Sequence, residues 1–265
     1  MQKRMNKKLY MVVLFIVYGL WIVPCNITAG VNKDKDSTLH VDEIISKSEK
    51  IMRGDTSVGS MEMIVKTKRW TRSIKMKSWA EGKEKSFIKI LYPSRDKGIT
   101  FLRLDKEMWQ YVPKIERTIK IPPSMMLQSW MGSDFTNDDL VKESSLIDDY
   151  EAGLLAEEEG AYKIELIPKP EAAVTWGKVL YWIDKTNFLQ LREEFYDEDN
   201  LLINVLTFSE VKKFNDRYYP AKMLMAPQDE EKKGSSTTLH IESMVFNEPV
   251  EEGIFSLRSL KSMSR

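Results

Sequence analysis

The fold is decided by residues 179–211, VLYWIDKTNFLQLREEFYDEDNLLINVLTFSEV. Apolar and polar side chains alternate along this stretch, and the alternation is interrupted at Lys185-Thr186 and again at residues 197–200. A period of two is typical of β-strands, and short polar clusters between such runs are typical of turns. The stretch therefore predicts three consecutive antiparallel strands joined by short turns.

The same alternation fills most of the chain and predicts about 10–11 strands with almost no helix between them. Because parallel strands need long crossovers, the sheet is expected to be antiparallel and to curl into a barrel. Helical spacing of Val41, Ile44, Ile45 and Ile51 predicts one helix before the first strand. Residues 122–141 also break the strand pattern and are expected to form a short helical lid segment on the open side.

The N-terminus has the features of a secretory signal peptide, assigned to residues 1–30. Four basic residues precede an apolar run at 9–23, which is shorter than the roughly 20 residues of a transmembrane helix. Small residues at Thr28, Ala29 and Gly30 offer a cleavage site, and an uncleaved N-terminal anchor is the alternative. This leader predicts a periplasmic protein, with residues 31–265 as a single domain.

Composition excludes several kinds of function for residues 31–265. Cys25 is the one cysteine of the chain, so the processed protein has neither disulfides nor a thiol nucleophile. Loss of the four basic leader residues leaves 36 basic and 40 acidic residues, a net charge of about −4. No segment is strongly basic, so a nucleic-acid partner is not expected.

Enzyme activity is not predicted, and neither is a metal site or a cofactor. His40 and His240 are the two histidines, and neither has a supporting motif for a catalytic triad or a metal site. Acidic residues cluster mostly at predicted turns, where solvated carboxylates are common. A pair of them acting in glycoside hydrolysis is a further alternative.

Large apolar side chains are the informative residues. The tryptophans beyond the leader are Trp70, Trp79, Trp109, Trp130, Trp176 and Trp182. Such residues fill a core in most proteins, but a barrel of this many strands is wide enough to enclose a cavity. The segment PPSMMLQSWM, residues 122–131, is then a natural plug, because methionine is flexible enough to fit irregular partners.

Residues 108–140, MWQYVPKIERTIKIPPSMMLQSWMGSDFTNDDL, resemble the LolA-like family of outer-membrane lipoprotein-sorting proteins. Members of that family have a W-x-Y-x-P strand and an R-x-I segment that lead into M-G-S-D-F and a following D-L. The matching residues are Trp109, Tyr111, Pro113, Arg117, Ile119, Met131, Gly132, Ser133, Asp134, Phe135, Asp139 and Leu140. The resemblance implies a half-open antiparallel β-barrel closed by helices over an apolar cavity that accepts acyl chains.

The resemblance also implies which residues form the lid and bind lipid. Expected lipid-binding or lid residues are Trp109, Tyr111, Met125, Met126, Trp130, Met131, Phe135 and Leu140. Gly132, Ser133, Asp134 and Asp139 are expected to shape the turn of the lid. The dedicated carrier of the family holds its closed state with an early arginine, and Arg69, Arg72 and Arg95 do not align to it unambiguously.

The function implied by the resemblance is that of a periplasmic, monomeric carrier without enzyme activity. Its ligands would be the acyl chains of lipids or lipoproteins, and its partner would be an inner-membrane transporter that exports them toward the outer membrane. The alternative is an interaction module that senses lipoproteins with the same barrel and transports nothing.

Overall fold

The fold is built from one long antiparallel sheet. The computed structural model describes residues 40–137, 139, 146–172 and 174–265. Its strands are β1 (Thr56–Lys66), β2 (Thr71–Glu81), β3 (Lys85–Tyr92), β4 (Thr100–Leu104), β5 (Glu107–Val112), β6 (Arg117–Ile121), β7 (Tyr150–Glu158), β8 (Ala161–Pro168), β9 (Lys178–Asp184), β10 (Gln190–Tyr196), β11 (Leu202–Phe214), β12 (Arg217–Pro227) and β13 (Ser236–Phe246). Their order in the sheet is β6-β5-β4-β3-β2-β1-β13-β12-β11-β10-β9-β8-β7. The predicted antiparallel, mainly β architecture is confirmed.

The sheet curls around a shared interior. Met76 on β2 and Phe195 on β10 line the same cavity, although β1, β13, β12 and β11 lie between their strands. Only a strongly curved sheet brings such distant strands together. Within the described residues the two edge strands of the sheet, β6 and β7, do not pair with each other, so the barrel is half-open, as predicted.

The sheet has thirteen strands in the described part of the chain, more than the 10–11 predicted. The sequence pattern from Glu107 to Ile121 reads as one continuous strand, but the structure divides it into β5 and β6. A 3-10 turn at Pro113–Ile115 interrupts the strand, and Glu116 follows it with φ 49°. Proline cannot donate to a ladder, and a residue at positive φ reverses the chain, so the second strand folds back on the first.

Helix α1 (Val41–Arg53) covers the inside of the sheet. Its apolar stripe buries Ile44 and Ile45 almost completely, and both join the large core cluster of the inner face. Acidic residues occupy the first turn and basic residues the last, which complements the helix dipole. Gly54 ends the helix at φ 73°. The helix lies where the sequence predicts it.

Two shorter helices lie in the described part of the chain after the first six strands, α2 (Leu146–Asp149) and α3 (Leu257–Ser262). The sequence indicates a short helix within residues 251–257, but α3 starts later because Ser256 caps it by accepting a hydrogen bond from the Ser259 amide. Among the residues described, no helix has both the length and the apolar character needed to cross a membrane.

A second apolar cluster lies between the outer face of the sheet and the C-terminal segment that contains α3. It contains Trp79, Phe87, Leu102, Tyr111, Ile254 and Leu260. The Thr100 hydroxyl fixes the helix by donating to the carbonyl of Leu260 at 2.7 Å. Burial on both faces explains why the stretches FIKILY of β3 and TFLRL of β4 carry apolar residues on both faces, and it leaves the inner face available for the cavity.

Candidate functional site

The inner face of the curled sheet encloses a cavity of about 410 Å³. Its apolar lining residues are Met52, Met61, Met76, Ala80, Ile88, Phe135, Leu146, Tyr150, Val174, Trp176, Val179, Phe195, Leu206, Phe208, Tyr219, Met223, Met225, Leu239, Ile241, Met244 and Phe246. Sites for small ligands commonly measure about 300–1,000 Å³ and are largely apolar with a few polar groups. This cavity has the size and the lining of such a site.

Methionine is prominent in the wall of the cavity. The lining methionines are Met52, Met61, Met76, Met223, Met225 and Met244. A thioether side chain has no branch at Cβ and changes rotamer readily, so it fits ligands of varied shape. The wall can therefore adapt to its contents more than one built from valine and isoleucine.

A compact turn, residues 129–137, closes one side of the cavity and is called the lid corner below. Its two ends pair through Ser129 and Thr136, and the Trp130 amide donates to the Phe135 carbonyl at 2.8 Å. Met131 and Gly132 both adopt positive φ, of 49° and 76°, which reverses the chain. The corner is thus a hydrogen-bonded hairpin, and the described helical parts of the predicted lid segment are the 3-10 turn Pro123–Met125 before it and the residues Asn137 and Asp139 at its end.

Side-chain hydrogen bonds rigidify the lid corner from within. The Ser133 hydroxyl donates to the Trp130 carbonyl at 2.8 Å. Thr136 and Asp139 cap each other, because each backbone amide donates to the other side chain, at 2.8 Å and 3.0 Å. These contacts match the turn chemistry that the sequence indicates.

Two contacts attach the lid corner to the sheet. The Thr237 hydroxyl on β13 donates to the Asp134 carboxylate at 2.7 Å and accepts from the Asp134 amide at 2.9 Å. On β2, the Arg72 guanidinium donates to the carbonyl of Met131. Of the three arginines that the sequence leaves open, the structure brings Arg72 to the lid. Sequence spacing could not single it out, because the contact joins residues far apart in the chain.

The predicted residues of the lid segment divide between the cavity and its surroundings. Phe135 is buried and lines the cavity, and Asp139 lines it as well. Trp130 is fully buried, with its ring 5.3 Å from that of Phe101. Met126 and Met131 pack against the same inner core, whereas Met125 is 42% exposed. Leu140 lies outside the described residues.

Trp109 and Tyr111 do not line the cavity. Both belong to the outer cluster beneath α3, on the face of β5 opposite the interior. Side chains alternate along a strand, and Met108 is the residue of this motif that faces the inner core. The motif therefore joins an outer structural contact to the lid corner rather than forming one binding surface.

Sequence reasoning missed a half-buried acid in the cavity wall, Glu193 on β10. A bulge between Gln190 and Arg192 shifts the alternation, so Gln190 and Glu193 both face the cavity. Burial, with a smaller contribution from nearby Asp139, raises the pKa of Glu193 to about 8. The sequence REEF reads as a solvated acidic strand, but Glu193 is two residues from Phe195 and shares its inward face, whereas Glu194 lies on the opposite face.

The neighbours of Glu193 separate into two faces. Glu194 lies on the outer face, where it accepts from Arg192 at 2.6 Å and from the Tyr196 hydroxyl at 2.8 Å. On the inner face, Gln190 donates to the hydroxyl of Tyr181, whose pKa is raised well above its usual value, chiefly by burial. The interior thus contains a small polar patch within apolar surroundings.

The ionisable residues that line the cavity are mainly acidic. They are Glu49, Arg53, Asp139, Asp149 and Glu193. In the described residues, no group of three or more His, Cys, Asp or Glu side chains could hold a metal ion. The cavity is therefore an apolar space with several acidic groups in its lining, suited to binding an amphiphile.

Comparison with known proteins agrees with this arrangement. A protein-family model described as "Uncharacterized protein"-like matches residues 82–262. A crystallised outer membrane lipoprotein-sorting protein domain from Vibrio parahaemolyticus is 26% identical over 83% of this chain and 97% of its own, with a TM-score of 0.73. A search of curated proteins finds no match.

Two further solved structures share the fold at lower identity. A DUF1329 family protein from Desulfovibrio piger is 21% identical with a TM-score of 0.75, over 83% of this chain and 97% of its own. A LolA superfamily protein from Nitrosomonas europaea is 19% identical with a TM-score of 0.70, over 83% and 99%. The chain therefore belongs to the family defined by the model over residues 82–262, and it has the LolA-like fold of outer membrane lipoprotein-sorting proteins.

Proposed function

We propose that this protein is a periplasmic carrier without enzyme activity, which binds acyl chains of lipids or lipoproteins and moves them toward the outer membrane. The observation that carries the proposal is the apolar cavity of about 410 Å³ between the curled sheet, α1 and the lid corner. Likeness to a lipoprotein-sorting domain supports the same ligand class.

Transfer of acyl chains from water into this cavity would be favourable. Each methylene group removed from water contributes about 0.8 kcal/mol, so a dozen contribute on the order of 10 kcal/mol before ordering costs. Displacement of side chains that now fill the space, such as Phe135, lowers the net gain. The resulting affinity would be moderate, which suits a carrier that must release its ligand.

The lid corner supplies a way to admit a ligand. Phe135 lines the cavity from the lid, and the hydrogen bonds of Asp134 and Arg72 attach the lid to the sheet. Breaking these few bonds would free the lid without disturbing the strands beneath it. We infer that ligand binding and release accompany movement of this segment.

The compartment and the partners are also part of the proposal. The sequence features of residues 1–30 favour export to the periplasm. Export from the inner membrane would require a transporter there as a partner, and a monomer is the simplest form in which a carrier could diffuse between membranes.

Ligand binding is tested by filling the cavity. Met223→Trp adds bulk to the lining, whereas Leu224→Trp adds the same bulk on the opposite face of β12. We expect M223W to weaken binding of a fluorescent acyl probe by roughly 10-fold or more, and L224W to leave it unchanged. Native mass spectrometry after gentle extraction should show lipid on the wild type but not on M223W. Equal binding by both variants would contradict the proposal.

Transport is separated from sensing by deletion of the gene. A carrier predicts that lipid or lipoprotein accumulates at the inner membrane of the deletion strain. A sensing module predicts altered transcription with normal membrane distribution.

A further inference from the structure

Glu193 places a carboxyl group in the cavity wall, although a hydrocarbon chain forms no hydrogen bond or ion pair with it. We propose that Glu193 anchors the head group of the ligand and selects amphiphiles with a cationic hydrogen-bond donor, such as a primary amine, over those with a carboxylate or phosphate. This inference rests on the proposed function, because it names the head group of a ligand whose chains occupy the cavity.

The position of Glu193 makes it available to a ligand. It pairs in register with Tyr181 on β9 and with Leu206 on β11, and it shares its face with Phe195. The surface that its side chain retains faces the cavity. In the described part of the chain, its carboxyl group forms neither a hydrogen bond nor an ion pair.

Cations of the neighbouring residues are engaged elsewhere. Arg192, the adjacent residue, points to the outer face and pairs with Glu194. Arg53 lines the cavity and is the one basic residue among the ionisable residues of its described lining, which include three other acids besides Glu193. The charged groups of this lining are therefore mostly acidic, and Glu193 lacks a protein cation of its own.

Asp139, from the segment that follows the lid corner, is the charged group that interacts electrostatically with Glu193, and Tyr181 of β9 interacts with it as well. Glu49 of α1 and Asp149 of α2 belong to the same cavity lining. A ligand carboxylate or phosphate would add a negative charge beside these acids in a space of low dielectric, which is costly. An ammonium group would instead supply the hydrogen bonds and the charge that Glu193 lacks.

The inference also predicts coupling to protons. The unliganded acid is largely protonated near neutral pH, because its pKa is raised to about 8. An ammonium ligand stabilises the carboxylate, so binding releases a proton. Affinity for an amine should therefore rise between about pH 6 and pH 8, and affinity for an uncharged amphiphile should not.

Three probes with the same alkyl chain test the selectivity: dodecylamine, dodecanol and dodecanoate. The experiment measures how well each of these amphiphiles displaces the fluorescent apolar dye N-phenyl-1-naphthylamine from the purified full chain. We expect wild type to bind dodecylamine most tightly, and Glu193→Gln to weaken that binding by roughly 10-fold while leaving dodecanol unchanged. Glu194→Gln, the same change on the outer face, is the matched control and should retain the preference.

The outcomes separate the two levels of the proposal. If the three dodecyl amphiphiles displace the dye equally, or if dodecanoate binds most tightly, the assignment of the head group is overturned, but the proposal of an acyl-binding cavity is not. Displacement by none of them refutes the proposed function itself. If Glu193→Gln does not fold, the pH dependence of dodecylamine binding to wild type decides, because a flat profile would also overturn the inference.

Discussion

The hydrogen bond from Arg72 to the Met131 carbonyl leads to a quantitative prediction for the lid. Arg72 is half-buried, and its guanidinium is the contact from β2 that holds the lid corner. Arg72→Gln shortens the side chain and removes the charge, so the bond is lost. A charged donor to a buried carbonyl is worth about 1.5–3 kcal/mol, and partial exposure lowers this to about 1–2 kcal/mol.

That energy converts into lid opening. A change of about 1–2 kcal/mol shifts the equilibrium between closed and open lid by roughly 5- to 30-fold. Asp134 still binds Thr237, so the corner should open more often without unfolding. If the open state is the one that admits ligand, the apparent affinity for an acyl probe should rise by a factor up to the same size.

Hydrogen exchange and probe titration measure the two effects. Amides of Trp130 and Ser133, which bond within the corner, should exchange faster in R72Q. Arg69→Gln is the control, because it removes the same charge from an exposed side chain that has no partner in the described residues. The reasoning fails if R72Q and R69Q exchange these amides equally and bind the probe with the same affinity.

Three other perturbations have defined outcomes. Gly132→Ala places a side chain at φ 76°, which should cost about 1–2 kcal/mol in chemical denaturation and speed exchange of the lid corner; a neutral effect would argue against the reversed backbone there. Stability should fall as pH rises from about 4.5 to about 8, because the folded state binds the proton of Glu193 more tightly than the unfolded chain. E193Q should lose this fall and exceed wild type by a few kcal/mol near pH 9, which thermal melts at several pH values will check. Leu260→Ala removes a buried side chain of α3 from the outer cluster and should cost about 2–5 kcal/mol, yet leave probe affinity unchanged, since this helix packs on the outer face; weaker binding in the folded variant would count against separate faces.

The fold could be predicted from the sequence where one periodicity dominates. The alternation of β9 to β11 and the helical spacing of Ile44 and Ile45 are local signals, so the strands and α1 lie where they are expected. The break at Glu116 was not predictable from alternation, because the apolar pattern continues on both sides of a turn set by backbone conformation. Local patterns specify elements better than they specify interruptions.

The site was harder to predict because both faces of several strands are buried. Trp109 and Met108 are neighbours on β5, yet one contacts the outer cluster and the other the inner core. When both faces of a strand are apolar, the sequence does not show which face lines the cavity and which packs against another element. Glu193 shows the same difficulty for a polar residue, since two adjacent acids lie on opposite faces of β10 and the one that enters the cavity is known only once the inward face of Phe195 is known.

The thioether lining of the cavity makes the proposed carrier sensitive to oxidants. Conversion of Met223 or Met225 to the sulfoxide would place a strong dipole where hydrocarbon should pack, and it would weaken binding of an acyl chain. A methionine sulfoxide reductase that converts these side chains back to methionine would restore binding. Adaptability toward varied chains and vulnerability to peroxide thus arise from the same sulfur atoms.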